Sequence, residues 1–205
     1  MTVIDAAAAN VGNDPAAVLA ALPAVPCVPG NRLRLRPPRA DDADAVFALF
    51  ADPAVARYWS RPVMTARAEA EAQLARYEEG FATRESLTWA IAMAEDDALV
   101  GCCALFRIDS QHRRAEIGYA LRADRWGQGL AREAVALMLG WSFDTLGLHR
   151  VEADIDPRNA ASRGLLQRLG FRSEGLLRER YWVNDEINDT EWFGLLAREW
   201  RATAV

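Results

Sequence analysis

Trp126-Gly127-Gln128-Gly129-Leu130-Ala131 decides how this chain folds. It stands between the apolar run Glu116-Ile117-Gly118-Tyr119-Ala120-Leu121 and a helix-like segment from Ala131 to Phe143. A strand that breaks into a short glycine turn and then enters a helix presents several backbone N–H groups at the positive end of that helix. Phosphate or pyrophosphate is the usual guest of such a site. A Cβ at Gly127 or Gly129 would block close approach of a ligand or forbid a positive φ. An isolated G-x-G also fits an ordinary strand-to-helix turn, so the weight falls on the surrounding pattern.

Working outward, Arg32-Leu33-Arg34-Leu35-Arg36 alternates strictly and reads as a strand with one buried face, stopped by Pro37-Pro38. A helix opens at Ala40-Asp41-Asp42, with Asp41 or Asp42 as candidate cap and Val46, Phe47 and Phe50 on one side. An aromatic loop from Asp52 to Pro62 leads to a helix from Thr65 to Gly80. Strands follow near Leu87–Ala94, Leu99–Arg107 and Ala115–Arg122, the last running into the glycine loop. Beyond the long helix, His149–Ile155 reads as a strand and Asn159–Leu169 as a short helix closed by Gly170. Phe171–Val183 and Ile187–Leu196 flank the turn Asn184-Asp185-Glu186 as a hairpin. Antiparallel strands in front and a βαβ unit behind predict a single α+β domain over residues 31–205. Residues 1–30 read as a flexible or loosely docked extension. Their apolar run resembles a signal core, but Asp5 and Asp14 precede it without Lys or Arg, and Pro23, Pro26 and Pro29 interrupt it.

Composition narrows the function classes. A net charge of −5 gives no basic footprint for nucleic acid. No stretch approaches the roughly 20 apolar residues that span a bilayer. Cys102 and Cys103 are neighbours on opposite strand faces, without an accompanying base, and His112 and His149 form no ligand cluster. Reduced thiols, a cytoplasmic location and no metal are therefore expected. A nucleotide triphosphatase needs Gly-Lys-Ser/Thr after the loop, and a Rossmann dehydrogenase needs a third glycine where Arg132 stands.

Three separated blocks carry a family resemblance: Glu116-Ile117-Gly118-Tyr119, the loop Trp126 to Ala131, and Asp156-Pro157-Arg158-Asn159-Ala160-Ala161-Ser162 with Leu166 and Leu169-Gly170-Phe171 behind it. In order and spacing they resemble the GNAT (Gcn5-related) N-acetyltransferase superfamily over residues 31 to about 200, and in particular its ribosomal-protein N-terminal, Rim-type branch. The resemblance implies a mixed, mostly antiparallel central sheet flanked by helices and splayed between two strands. It implies acetyl-CoA as cosubstrate, with the pantetheine arm between the Gly118 strand and the His149–Ile155 strand.

On that resemblance Gly127, Gln128, Gly129, Leu130, Ala131 and Arg132 hold the pyrophosphate, and Arg125 adds positive charge. Trp126 stands where the wider superfamily usually has Gln or Arg, which removes a polar contact. Gly118 is expected to form a bulge and a backbone N–H near Gly118 or Tyr119 to serve the thioester oxyanion, with Ile117 beside them among the coenzyme-binding residues. Asn159 holds the pantetheine amides and Ser162 approaches the sulfur, although both also suit the first turn of a helix. Glu116 is the candidate base, acting through water, with Glu179 as alternative. Tyr119 and Tyr181 lead the candidates to wall the acceptor pocket, before Trp59, Trp89 and Trp182. The expected acceptor is the N-terminal α-amine of a protein or peptide. The alternatives are a small amine, or a non-catalytic module that binds acyl-CoA. Either a monomer or a homodimer, joined through the C-terminal hairpin, is compatible with the sequence.

Overall fold

Leu33 and Leu35, the apolar members of the Arg-Leu alternation, are fully buried, and the strand they define pairs with the next in a continuous register. The computed structural model describes residues 13–203 apart from Ser60 and Asn184. The strands are β1 (Val28–Pro29), β2 (Leu33–Arg36), β3 (Ser86–Met93), β4 (Leu99–Asp109), β5 (Arg114–Leu121), β6 (Arg150–Ile155), β7 (Arg172–Val183) and β8 (Glu186–Leu196). They form one eight-stranded sheet in the order β1-β2-β3-β4-β5-β6-β8-β7. The helices are α1 (Pro15–Ala21), α2 (Ala43–Phe50), α3 (Pro53–Ala56), α4 (Arg67–Ala82), α5 (Leu130–Asp144), α6 (Ala160–Arg168) and α7 (Ala197–Thr203). This is the expected α+β architecture.

Among the described residues every pairing is antiparallel except that of β5 with β6. A parallel pair needs a crossover, and α5 supplies it. The parallel contact is short: Arg114, Ala115 and Glu116 meet Arg150, Val151 and Glu152. Beyond it Ile117–Leu121 stay with β4, and Ala153–Ile155 stay with β8. The two strands therefore part and leave a gap in mid-sheet, the splay implied by the resemblance.

Both faces of the sheet are covered. Val135, Met138, Leu139 and Phe143 of α5 pack with Leu35, Trp89, Cys103 and Leu105 on one face. Val46, Leu49, Phe50 and Leu74 pack with Ala90, Cys102 and Ala120 on the other. The adjacent cysteines do face opposite ways, as strand geometry requires. Burial raises the thiol pKa of both, that of Cys102 to about 12, so neither resembles an activated nucleophile. Cys27, in contrast, is exposed.

Three local expectations change. Of the anticipated extension, residues 1–12 lie outside the described residues, but residues 13–30 are built into the fold. Asp14 caps α1, Leu19 and Val25 join the core, the Trp89 indole donates to Pro26 O at 2.7 Å, and β1 extends the sheet edge. The prolines that spoil a leader helix suit an edge segment with little need of N–H donors. Gly118 is not a bulge, because the β4–β5 register runs unbroken from Gly101↔Leu121 to Phe106↔Glu116. The irregularity falls on β4 at Arg107, which takes φ 50°. Gly118 instead accommodates the Phe106 ring, which would stand 3.3 Å from an added Cβ. Finally, the Asp42 carboxylate makes no cap bond to α2 itself, and caps instead the 3-10 turn Ala40–Asp42 that leads into it. It accepts from Arg36 Nη1 and Nη2 at 2.8 and 2.7 Å and from the Arg39 N–H, forming a buried ion pair that pins β2 to α2.

Candidate active site

The glycine loop adopts the backbone that its composition allows. Gly127 has φ 73° and Gly129 φ 75°, both left-handed, and Gly129 is the N-cap of α5. The first intrahelical bond runs from Glu133 N–H to Gly129 O, so the N–H groups of Leu130, Ala131 and Arg132 are left for a partner. No side chain caps them. An added Cβ at Gly127 would meet no atom within 4 Å, so the loop faces open space.

The loop is braced from behind. Arg32 Nη1 donates to Gln128 O at 2.8 Å and Arg32 Nε to Glu133 Oε2 at 2.7 Å, while Glu133 Oε1 accepts the N–H groups of Asn31 and Arg32. Burial acts against the Glu133 carboxylate, but these donors outweigh it and hold its pKa below the ordinary value. The side chains of Trp126 and Gln128 stay exposed but bond back to the chain before the loop: the indole donates to Leu121 O and the amide to Asp124 O. Both residues thus shape the loop and leave its backbone to the ligand. The Arg125 Nε is buried without a hydrogen-bond partner. The nearest anion to that Nε is Asp124, at 3.8 Å, beyond hydrogen-bond distance; a guanidinium N–H with an open hydrogen-bond position, free helix-terminal donors and an unobstructed glycine fit a pyrophosphate.

In the sheet gap, Ile117, Gly118 and Tyr119 line a cavity of about 520 Å³. The Arg122 N–H bonds Val100 O on β4, so by alternation along the unbroken register the Gly118 N–H also faces β4, while those of Ile117 and Tyr119 turn toward the gap left by β6. The Tyr119 hydroxyl and Ser162 Oγ are 2.6 Å apart, joining β5 to the first turn of α6 across the opening. Burial pushes the Tyr119 phenol up to about 12, with the Ser162 bond opposing, so it stays protonated and able to donate. Asn159 caps α6 by accepting the Ser162 N–H at 3.1 Å, which fixes the serine beside Tyr119.

Glu116 is 5% exposed, and both of its carboxylate oxygens accept from Arg107 Nη1 at 3.0–3.1 Å. Burial raises its pKa; Arg107 opposes this, while Asp154 and Glu152 add to it. Glu116 does not itself line the cavity, whereas Arg107, Asp154 and Tyr181 do. The Tyr181 hydroxyl donates to Asp154, and burial together with that carboxylate raises its pKa. Glu179 is elsewhere. It occupies an irregular stretch of β7 at φ 53°, is exposed, and gives its N–H to Asp189. The irregularity breaks the two-residue alternation that would have put it on the Tyr181 face. Among the aromatics, Trp59, Tyr119 and Tyr181 line the cavity; Trp89 is core and Trp182 is 72% exposed.

Asp154 was detectable in the sequence, since Glu152 and Asp154 alternate with Val151, Ala153 and Ile155 along β6. The cavity residues from the other end of the chain, Arg57, Arg61, Gln73, Arg76 and Tyr77, carry no local motif. They reach the site only because α4 packs across the sheet face opposite α5.

Comparison with known proteins agrees with this geometry. The model of the acetyltransferase (GNAT) domain matches residues 32–172. The chain is 34% identical over 170 residues to the "uncharacterized N-acetyltransferase p20" of Bacillus licheniformis, covering 83% of this chain and 96% of that one. It is 34% identical over 105 residues to YdaF of Bacillus subtilis, named as a candidate ribosomal N-acetyltransferase, covering 51% of this chain and 57% of that one. A spermidine N-acetyltransferase from Vibrio cholerae, solved with CoA and spermine, superposes with a TM-score of 0.74 at 23% identity, covering 84% of this chain and 99% of that one. A glycine loop at a helix N-terminus, a parted parallel strand pair and a matching family model lead to one conclusion: the chain belongs to the GNAT family of N-acetyltransferases.

Proposed function

We propose that this enzyme transfers acetyl from acetyl-CoA to the N-terminal α-amine of a protein or peptide. The observation that carries the reading is the charge balance of the cavity wall. Asp154, Asp156, Glu186 and Asp189 face it together with Arg57, Arg61, Arg76, Arg107 and Arg158. Asp156 and Glu186 are already paired with Arg158. A polyamine brings several ammonium groups and would find two of these four carboxylates already neutralised. A peptide N-terminus brings one ammonium, for Asp154, and a row of carbonyl oxygens, for the guanidinium groups. The likeness to YdaF points the same way. A small-amine acceptor is the second reading, supported by the spermine bound to the Vibrio cholerae relative.

Acetyl-CoA supplies an activated acyl group as a thioester, and the residues here position it and manage protons. The N–H groups of Leu130, Ala131 and Arg132 hold the pyrophosphate, with Arg125 beside them. Asn159 and the parted strands hold the pantetheine arm, and an N–H of Ile117–Tyr119 donates to the thioester carbonyl oxygen. An α-amine has a pKa of about 8, so it needs only a modest base at neutral pH. Asp154 receives the ammonium and passes its proton through water to Glu116, whose raised pKa suits that task. As the new C–N bond forms and the C–S bond breaks, Ser162, hydrogen-bonded to the protonated Tyr119, gives its proton to the departing sulfur, and the proton that the attacking nitrogen sheds restores the Ser162–Tyr119 pair.

The test is release of free thiol from acetyl-CoA with peptides of free and blocked N-terminus, spermidine and free amino acids. Turnover of peptides that blocking abolishes is the expected result. Turnover of spermidine alone would overturn the peptide assignment.

A further inference from the structure

The α4 end of the cavity holds two positive charges, Arg61 and Arg76, that take no part in the acyl-transfer step and for which the peptide reading supplies only neutral main-chain carbonyls. Arg61, from the loop before α4, and Arg76, on α4, both donate to the same acceptor, the side-chain oxygen of Gln73. Gln73 is 3% exposed. Its amide is neutral, so it gathers the guanidinium groups without cancelling their charge. Among the described residues neither Arg61 nor Arg76 pairs with a carboxylate. Other arginines of the cavity do: Arg107 with Glu116, and Arg158 with Asp156. Burial, with the charge of Arg76 adding to it, lowers the pKa of Arg61, the mark of a cation held without an anion. Two adjoining guanidinium groups beside one cavity, pre-ordered by a buried amide, form a fork that an acid group would complete. The pyrophosphate loop does not compete for them, because none of residues 125–132 lines this cavity.

We propose that Arg61, Gln73 and Arg76 form a carboxylate-binding subsite, and that the preferred acceptor carries an acid group close to its reacting amine. The inference rests on the acetyltransferase reading and deepens it. Asp154 and Tyr181 receive the amine, while the fork receives the carboxylate. Two sources offer that carboxylate: an acidic side chain just after the N-terminal residue of a peptide, or the α-carboxylate of a free amino acid.

The experiment compares kcat/KM for amidated peptides beginning Ser-Glu and Ser-Gln, and for free serine and glutamate, in the wild type and in Gln73→Glu and Arg61→Lys. Losing a charge-assisted pair costs on the order of 10-fold. Ser-Glu is therefore expected to exceed Ser-Gln by about that factor in the wild type. Gln73→Glu supplies an internal carboxylate and should bring the ratio near one, while Arg61→Lys should keep part of it. The KM for acetyl-CoA reports whether each variant retains its fold. Preference for free amino acids over both peptides would assign the carboxylate to the small molecule. Equal wild-type rates for Ser-Glu and Ser-Gln, with no turnover of free amino acids, would overturn the subsite. So would a ratio that Gln73→Glu leaves unchanged. If no acceptor turns over, the acetyltransfer reading fails separately, and equilibrium binding of the two peptides to the CoA complex decides the subsite: equal affinity refutes it.

Discussion

Gly127→Ala separates what the glycine loop does for the fold from what it does for the coenzyme. Gly127 has φ 73°, and an added Cβ would meet no atom within 4 Å, so the substitution carries no packing penalty within the protein. What remains is left-handed backbone strain of roughly 1–2 kcal/mol, offset by about 0.4–1 kcal/mol because alanine restricts the unfolded chain. The net loss is about 1 kcal/mol, which in a chain of this size lowers Tm by about 2–4 °C. The effect on ligand binding is larger. The Cβ projects where a phosphate must approach, and one lost charge-assisted N–H contact costs about 1.5–3 kcal/mol, or roughly 10- to 100-fold in Kd. Gly140→Ala is the control. Gly140 lies inside α5 with equally open space around its Cβ, so alanine there should raise stability by about 1 kcal/mol through helix propensity and leave coenzyme binding alone. Thermal scans of the free protein and calorimetric titration with CoA read the two quantities independently. If Gly127→Ala melts a few degrees lower yet binds CoA within about 2-fold of the wild type, the loop is a structural turn and the phosphate assignment is wrong.

Glu116→Gln should lower kcat by roughly 100-fold at neutral pH, with the deficit narrowing above pH 8 as the α-amine loses its own proton. The same variant carries a stability signature. The folded pKa of Glu116 is raised, so the folded state binds this proton more tightly, and the resulting stabilisation is present below the unfolded pKa and lost as pH rises through the folded one. Glutamine does not titrate, so the Tm of the variant relative to the wild type should climb between pH 4 and pH 8; a constant or falling difference contradicts the burial argument. Asp42→Asn strips the buried Arg36 of its bidentate partner. Breaking such a pair costs about 3–5 kcal/mol, to be read as a lower urea midpoint at unchanged m-value; a loss under about 1 kcal/mol would mean that Asp97 suffices to hold Arg36.

How much of this was legible in the sequence depended on how local each signal was. The glycine loop could be read because its meaning is contained in six residues: a positive φ at Gly127 and Gly129, followed at once by a helix. The alternation of Arg32–Arg36 and the cap at Asn159 are equally local. Gly118 was misread because a glycine in a strand suits a bulge or a close neighbour alike, and only the position of the Phe106 ring decides between them. Glu179 failed because alternation was extrapolated across a stretch where β7 slips register. The docking of residues 13–30 was hidden because a proline-broken apolar segment has no periodicity of its own; its partners Arg84, Trp89 and Thr145 are distant in sequence. Gln73 and Arg76 are neighbours three apart on α4 with Arg61 in the loop before it, but only the packing of α4 on the sheet brings them to the cavity.

The topology also explains why the donor is easier to read than the acceptor. One parallel pairing, held to three residue pairs, forces α5 to cross over between β5 and β6. The N-terminus of α5 therefore follows directly from the end of β5, and the phosphate donors and the parted strands are consequences of a single connection. The acceptor end has no such origin. Its walls come from the loop before α4, from α4 itself, from β4 and β6 on either side of β5, and from β7 and β8, elements scattered along the chain. On the proposed reading, a substitution in those walls is expected to change which amine fits and to leave coenzyme binding alone, because none of residues 125–132 lines the cavity. Family membership thus gives the class of reaction, N-acetyl transfer, and the proposal assigns the choice of acceptor to the side chains around Gln73 and Asp154.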